Sequence, residues 1–127
     1  MEMPKNAVNW VEIPVADFER AKAFYSKIFD YEMPETQMGP VHRGFLLHDQ
    51  QGGGVGGAIV AGEGYEPTAK GAKVYLNAGA DLSVVLDRVE AAGGKVIFPK
   101  TVVTPELGYF AALQDSEGNH IYLHSMG

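Results

Sequence analysis

The feature that most constrains this chain is a strand that runs directly into an aspartate-headed helix, and it occurs twice. In the first copy Val11, Ile13 and Val15 alternate with Trp10, Glu12 and Pro14, the two-residue period of a strand with two different faces. Asp17 follows, a residue whose carboxylate can accept a hydrogen bond from an early helical N–H, and Glu19 adds negative charge at the positive helix end. Phe18, Ala21, Tyr25, Ile28 and Phe29 then recur at helical spacing and define one apolar stripe. In the second copy Val74, Leu76 and Ala78 alternate with Tyr75 and Asn77, and Asp81 heads a stripe of Leu82, Val85, Leu86, Val89 and Ala92. Gly93-Gly94 supplies the left-handed stop expected at a helix end. Asp17 and Asp81 lie 64 positions apart in a chain of 127, so a duplicated unit is the first thing to explain.

Bulk properties narrow the classes of function. The length fits one domain, residues 1–127, with enough chain to bury a core unaided. A net charge of −6 without any cluster of Lys and Arg argues against nucleic acid as a partner. The absence of cysteine removes disulfides, thiolate metal sites and cysteine nucleophiles. Residues 1–6 have neither the basic start nor the apolar run of a secretory signal, and no stretch approaches the ~20 apolar residues of a membrane span. The expected setting is cytoplasmic, with no membrane partner.

The remaining segments complete two similar halves. Residues 30–35 read as a short connecting strand, 44–48 as a strand, 50–54 as a turn and 55–61 as the partner strand. The glycine run 52–57 lacks the Lys-Ser/Thr of a phosphate loop and precedes a strand, so it reads as a hairpin turn. Residues 63–72 read as the linker between a first module over about 7–62 and a second over about 73–125. In the second module, strands are expected at 95–98, 109–114 and 120–124, with a turn at 115–119. Each half is β-α-β-β-β. Neither is long enough to bury its helix and its sheet comfortably alone, and pairing them places both helices outside and the other sheet faces around a cavity.

Val15-Ala16-Asp17-Phe18 with Arg20-Ala21 and Phe24-Tyr25, then Ala80-Asp81-Leu82, Ala91-Ala92-Gly93-Gly94, and Asp115 to Asn119 followed by Ile121 together resemble the vicinal oxygen chelate superfamily. That group includes glyoxalase I, extradiol dioxygenases and the fosfomycin- and bleomycin-resistance proteins. The resemblance spans nearly the whole chain. It implies an α+β fold in which two β-α-β-β-β modules form a cupped, incomplete mixed barrel, often within a homodimer. Its metal-dependent members place His and Glu donors in the cup, because divalent metals need imidazole and carboxylate ligands. The positions that the resemblance assigns to those ligands are Trp10, the 56–59 stretch, the neighbourhood of Lys73 and Val74, and Tyr122. None supplies a normal donor, which implies a branch depleted of metal ligands, with no cofactor. Glu12, His42, His48, His120 and His124 are the residues from which an atypical metal site could be built. His120 and His124 share a strand face, but about 13 Å separates residues four apart on a strand.

Alternation supplies the expected cup lining: Trp10, Glu12, Lys73, Tyr75, Asn77, His120, Tyr122 and His124. An aromatic wall with a few convergent polar groups suits a small-molecule site. The same aromatics could instead plug the barrel, with Glu12 paired to Lys73 or Tyr75. This lining and the resemblance together imply a homodimer that binds an aromatic or planar small molecule without the usual metal. The alternative is an enzyme, a lyase, isomerase or dioxygenase-like protein, using Glu12 as base or an atypical metal. In an apolar cup, desolvation would raise the Glu12 pKa toward that role.

Overall fold

The first strand and helix form where the alternation and the cap require them. The computed structural model, which describes residues 1–127, has β1 over Trp10–Pro14 and α1 over Phe18–Phe29. Asp17 stands at the helix N-cap in extended conformation, and its carboxylate accepts from the Arg20 N–H at 3.1 Å. Asp30 ends the helix in the left-handed region, φ 54°. Phe18, Ala21, Phe24, Tyr25 and Ile28 are buried along one stripe, over Ile13 and Val15 of the strand side. The first sheet adds β2 (Glu35–Met38), β3 (Val41–Phe45) and β4 (Gly56–Ala61) in the order β1-β4-β3-β2, with β1 and β4 parallel.

The second half repeats this order with β5 (Tyr75–Asn77), α2 (Ser83–Leu86), β6 (Lys95–Thr104), β7 (Gly108–Gln114) and β8 (His120–Ser125), and its sheet runs β5-β8-β7-β6. The duplication is visible in single bonds. Val15 N–H donates to the Val60 carbonyl and Ala78 N–H to the His124 carbonyl, both at 2.9 Å, so Val15 and Ala78 are equivalent. One more residue separates Ala78 from Asp81 than separates Val15 from Asp17. It is absorbed at Gly79, whose φ of 82° suits glycine and whose N–H is held by the Asn77 side chain. By this equivalence Glu12 corresponds to Tyr75, and Ala58 to Tyr122.

Several expected boundaries move. The second helix, expected over 82–92, is regular only over Ser83–Leu86 and continues to Gly93 as successive turns. Its stripe is still buried at Leu82, Val85, Leu86 and Val89, while bonds such as Arg88 N–H to the Val85 carbonyl tighten the winding. The β-branched residues Val84, Val85 and Val89 lower the gain from an ideal helix here. Asp81 accepts from the Ser83 N–H at 2.9 Å, so it caps the segment although Leu82 holds the cap position. The short strand expected at 30–35 lies instead at 35–38, beyond Pro34, and the one expected at 44–48 lies at 41–45. Strand β6 runs on to Thr104 through register shifts.

No strand of one sheet pairs with a strand of the other, so the barrel is open. The halves meet through their helices and one shared hydrophobic core. Lys27 Nζ donates to the Ala91 carbonyl and an Arg88 guanidinium nitrogen donates to the Ile28 carbonyl. A further clamp joins the β7–β8 turn to the β1–α1 corner. Glu117 accepts from the N–H groups of Ala16 and Asp17 at 3.0 and 2.7 Å and from Arg20 Nε at 2.7 Å, with its side chain fully enclosed. Asp115 accepts from the buried Tyr25 hydroxyl at 2.6 Å, and Asn119 Nδ2 donates to the Pro14 carbonyl at 2.7 Å. No helix is long and apolar enough to cross a membrane.

Candidate functional site

Each sheet buries one face against its helix and leaves the other open, and the expected site residues divide between these two open faces. On the first sheet, register places Glu12 beside Ala58 of β4, which pairs with Phe45 of β3, and places Arg43 beside Val60. Glu12 therefore reaches across β4. Its Oε2 accepts from Arg43 Nε at 2.9 Å and from the Trp10 indole N–H at 3.3 Å, and its Oε1 accepts from the Tyr65 hydroxyl at 2.9 Å. Trp10 also meets Phe45 edge-on.

This arrangement corrects two expectations. Glu12 pairs with Arg43, not with Lys73 or Tyr75. Nor is its pKa raised: burial pushes it up, but hydrogen bonds from Arg43, Tyr65 and Trp10 and the Arg43 charge together hold it below the ordinary carboxylate value. A carboxylate with three donors and a fixed cation is a weak candidate for a general base. Arg43 and Tyr65 escaped the sequence reading, because a strand expected at 44–48 left Arg43 outside it and Tyr65 lies in the linker.

The open face of the second sheet carries a continuous ladder of rings, one from each strand. Tyr75 and Tyr122 are directly opposed, with centroids 4.8 Å apart. Tyr122 and Phe110 follow at 6.5 Å, then Phe110 and Phe98 stack at 5.5 Å with planes 12° apart. Tyr75 is 55% exposed and Phe98 46%, so these rings do not plug a barrel; their faces are available. The Lys73 ammonium lies over the Tyr122 ring, 5.9 Å from its centroid, and donates to the Ala69 carbonyl at 3.4 Å. At the other end Asn77 and His124 border an open groove of about 620 Å³ together with Tyr75 and Met126. His124 Nε2 lies 2.6 Å from the Leu107 carbonyl and ties the β6–β7 turn to β8. His120 opens β8 on the same face, opposite Gln114. Alternation in β7 could have revealed Phe110, since it opposes the buried pair Ala111 and Leu113.

Contacts thus join Trp10 to Glu12 on one sheet and Lys73, Tyr75 and Tyr122 on the other. No hydrogen bond, ion pair or ring contact bridges the two groups.

The positions where the resemblance puts a metal carry side chains of other chemistry. Trp10 stands beside Gly56, and Tyr75 beside Tyr122, and none of these carries an imidazole or carboxylate. Glu12, two residues along β1 from Trp10, is engaged by Arg43. The residues present do not fit the family's metal centre. A different set of donors meets on the helix side of the first sheet, where atoms of Glu19, Glu35 and His42 lie within 4.8 Å of one another. There the Lys22 ammonium already binds Glu35 and the Phe18 ring stacks on His42.

Comparisons with known proteins agree on the fold. A family profile described as the glyoxalase/bleomycin resistance protein/dioxygenase superfamily matches residues 7–123. A glyoxylase-like domain-containing protein of Didymella fabae is 30% identical over 117 residues, spanning 88% of each chain. Among solved structures, a glyoxylase/bleomycin resistance protein/dioxygenase domain from Frankia sp. EAN1pec superposes with a TM-score of 0.70 at 14% identity, covering 96% of this chain and 98% of that one. A glyoxalase/bleomycin resistance protein from Streptomyces sp. CB03234 gives 0.68 at 21% identity, covering 91% and 97%.

Proposed function

The chain belongs to the glyoxalase/bleomycin resistance protein/dioxygenase superfamily, and on that premise we propose that it is a small-molecule-binding member that holds an aromatic or planar ligand without the family's metal. The observation that carries this reading is the ring ladder of Tyr75, Tyr122, Phe110 and Phe98, with its outer rings about half exposed. Stacking on such a surface contributes through apolar burial and ring–ring geometry, on the order of 0.5–1.5 kcal/mol per well-placed pair beyond area. The acid–base alternative built on Glu12 is disfavoured by the engagement of its carboxylate with Arg43, Tyr65 and Trp10.

The functional unit is a homodimer. Strands β1 and β5 are edge strands with one partner each, and the two ring-bearing faces of a single chain do not close on each other. A second copy would cover these edges and deepen the open faces into a cup.

The test is a thermal-shift and calorimetric screen of the purified protein against planar aromatics and, separately, divalent metals, after elemental analysis. Stabilisation by aromatics that is lost in Tyr122→Ala supports the reading. Tight stoichiometric metal, or stabilisation by metals alone, overturns it.

A further inference from the structure

The second sheet has an unusual charge balance for this chain. The protein carries 16 Asp and Glu against 10 Lys and Arg, yet β5, β6, β7 and β8 together contain no acidic residue. The same strands contribute Lys95, Lys100, His120 and His124. Acids of the adjoining β7–β8 turn are turned to other work: Asp115 accepts from Tyr25, and Glu117 is enclosed against Arg20 and the α1 N-terminus. Asp81 holds Lys100, which lies over Tyr109 on the other side of the sheet from the ladder. The first sheet differs, since its open face has one acid and one base that neutralise each other, Glu12 and Arg43.

Lys73 is the cation that touches the ladder. The ion-paired cations are Arg20, Lys22, Arg43 and Lys100; Lys73 has no carboxylate partner and is held over the Tyr122 ring, beside the exposed Tyr75 face. A flat ring laid on Tyr75 and Tyr122 would set a substituent at its rim within reach of that ammonium. A carboxylate there gains a charge-assisted hydrogen bond and meets no repelling acid on the strands beneath it. A cationic substituent there meets the like charge of Lys73.

We infer that the ligand of the aromatic face is a planar aromatic anion, an aryl carboxylate or a compound of equivalent charge and shape, whose negative group is held by Lys73. The inference rests on the binding reading above and adds the sign and position of the ligand's charge.

Isothermal titration of the full-length protein with 2-naphthoate and its neutral isostere 2-naphthamide tests it. Naphthoate is expected to bind about threefold to fivefold more tightly, the scale of a solvent-exposed ion pair, and the gap narrows as salt is raised. Lys73→Gln brings the two affinities together, whereas Lys95→Gln, on the far strand, preserves the preference. Equal affinities in the unaltered protein, or a preference for the amide, overturn the anionic assignment while leaving aromatic binding intact. A preference abolished by Lys95→Gln and kept in Lys73→Gln moves the anion to the β6 side and overturns the role of Lys73. Binding of neither probe, as when a second copy lies flat on the face, overturns the aromatic-binding reading and this inference with it.

Discussion

Arg43 Nε lies 2.9 Å from Glu12 Oε2, across the full width of β4. Each side chain keeps just over a quarter of its surface exposed, so the pair is neither freely solvated nor sealed. Glu12→Gln keeps the shape but removes the charge that Arg43 faces. The expected loss is about 1–2 kcal/mol of stability, between the values for exposed and buried pairs. Arg43→Met should cost a similar amount, and the double variant less than the sum of both. Denaturant melts of the four proteins measure the coupling; additive losses would mean that the contact contributes nothing.

Glu117 makes stability depend on acid. Burial pushes its pKa up, but the hydrogen bonds from Arg20, the Asp17 N–H and Ser116 outweigh that and leave the folded-state value below the ordinary carboxylate. A depressed folded pKa stabilises fully above the unfolded value of about 4.3 and is lost as pH falls through the lower folded value. The melting temperature should therefore decline below about pH 4–5. Glu117→Gln is expected to lower stability at neutral pH and to flatten this decline. An unchanged acid limb in the variant would assign the effect to other groups.

The two helix caps are expected to be unequal. Asp17 caps a twelve-residue helix, and Asp17→Ala should cost about 1 kcal/mol. Asp81→Ala removes a cap from a four-residue helix and a contact with Lys100, and a smaller loss is expected. Paired urea titrations settle the order, and equal losses would contradict it.

Sedimentation equilibrium at low micromolar concentration should give twice the 13.7 kDa chain mass. A single species at 13.7 kDa would leave β1 and β5 as bare edges and remove the homodimer.

What could be read in advance depended on how local the cause was. Trp10 to Phe29 was legible because alternation, the Asp17 cap and the helical stripe agree within one short segment. Residues 35–38 were not, since Glu35-Thr36-Gln37-Met38 is exposed throughout and takes its strand form from pairing with β3. Phe45-Leu46-Leu47 drew the next strand too far along the chain; its regular part ends at Phe45. The partner of Glu12 was illegible for the same reason, as it depends on the register of three strands. Tyr75 and Tyr122, by contrast, were placed on one face by alternation alone, and the structure sets them directly opposite each other.

The clamp at Glu117 runs in one direction only. Its counterpart in the first half is the β3–β4 loop, where Asp49 turns inward on its own segment and holds the Gly52 N–H. One half thus supplies a finishing piece that the other cannot return. A chain cut within residues 63–72 would yield two fragments of unlike character: the first with an uncovered corner at Ala16 and Asp17, the second with Glu117 deprived of Arg20 and those two N–H groups and Asp115 deprived of the Tyr25 hydroxyl. Such fragments should recover their structure only when mixed, as a lock and its own key rather than as two copies of one domain.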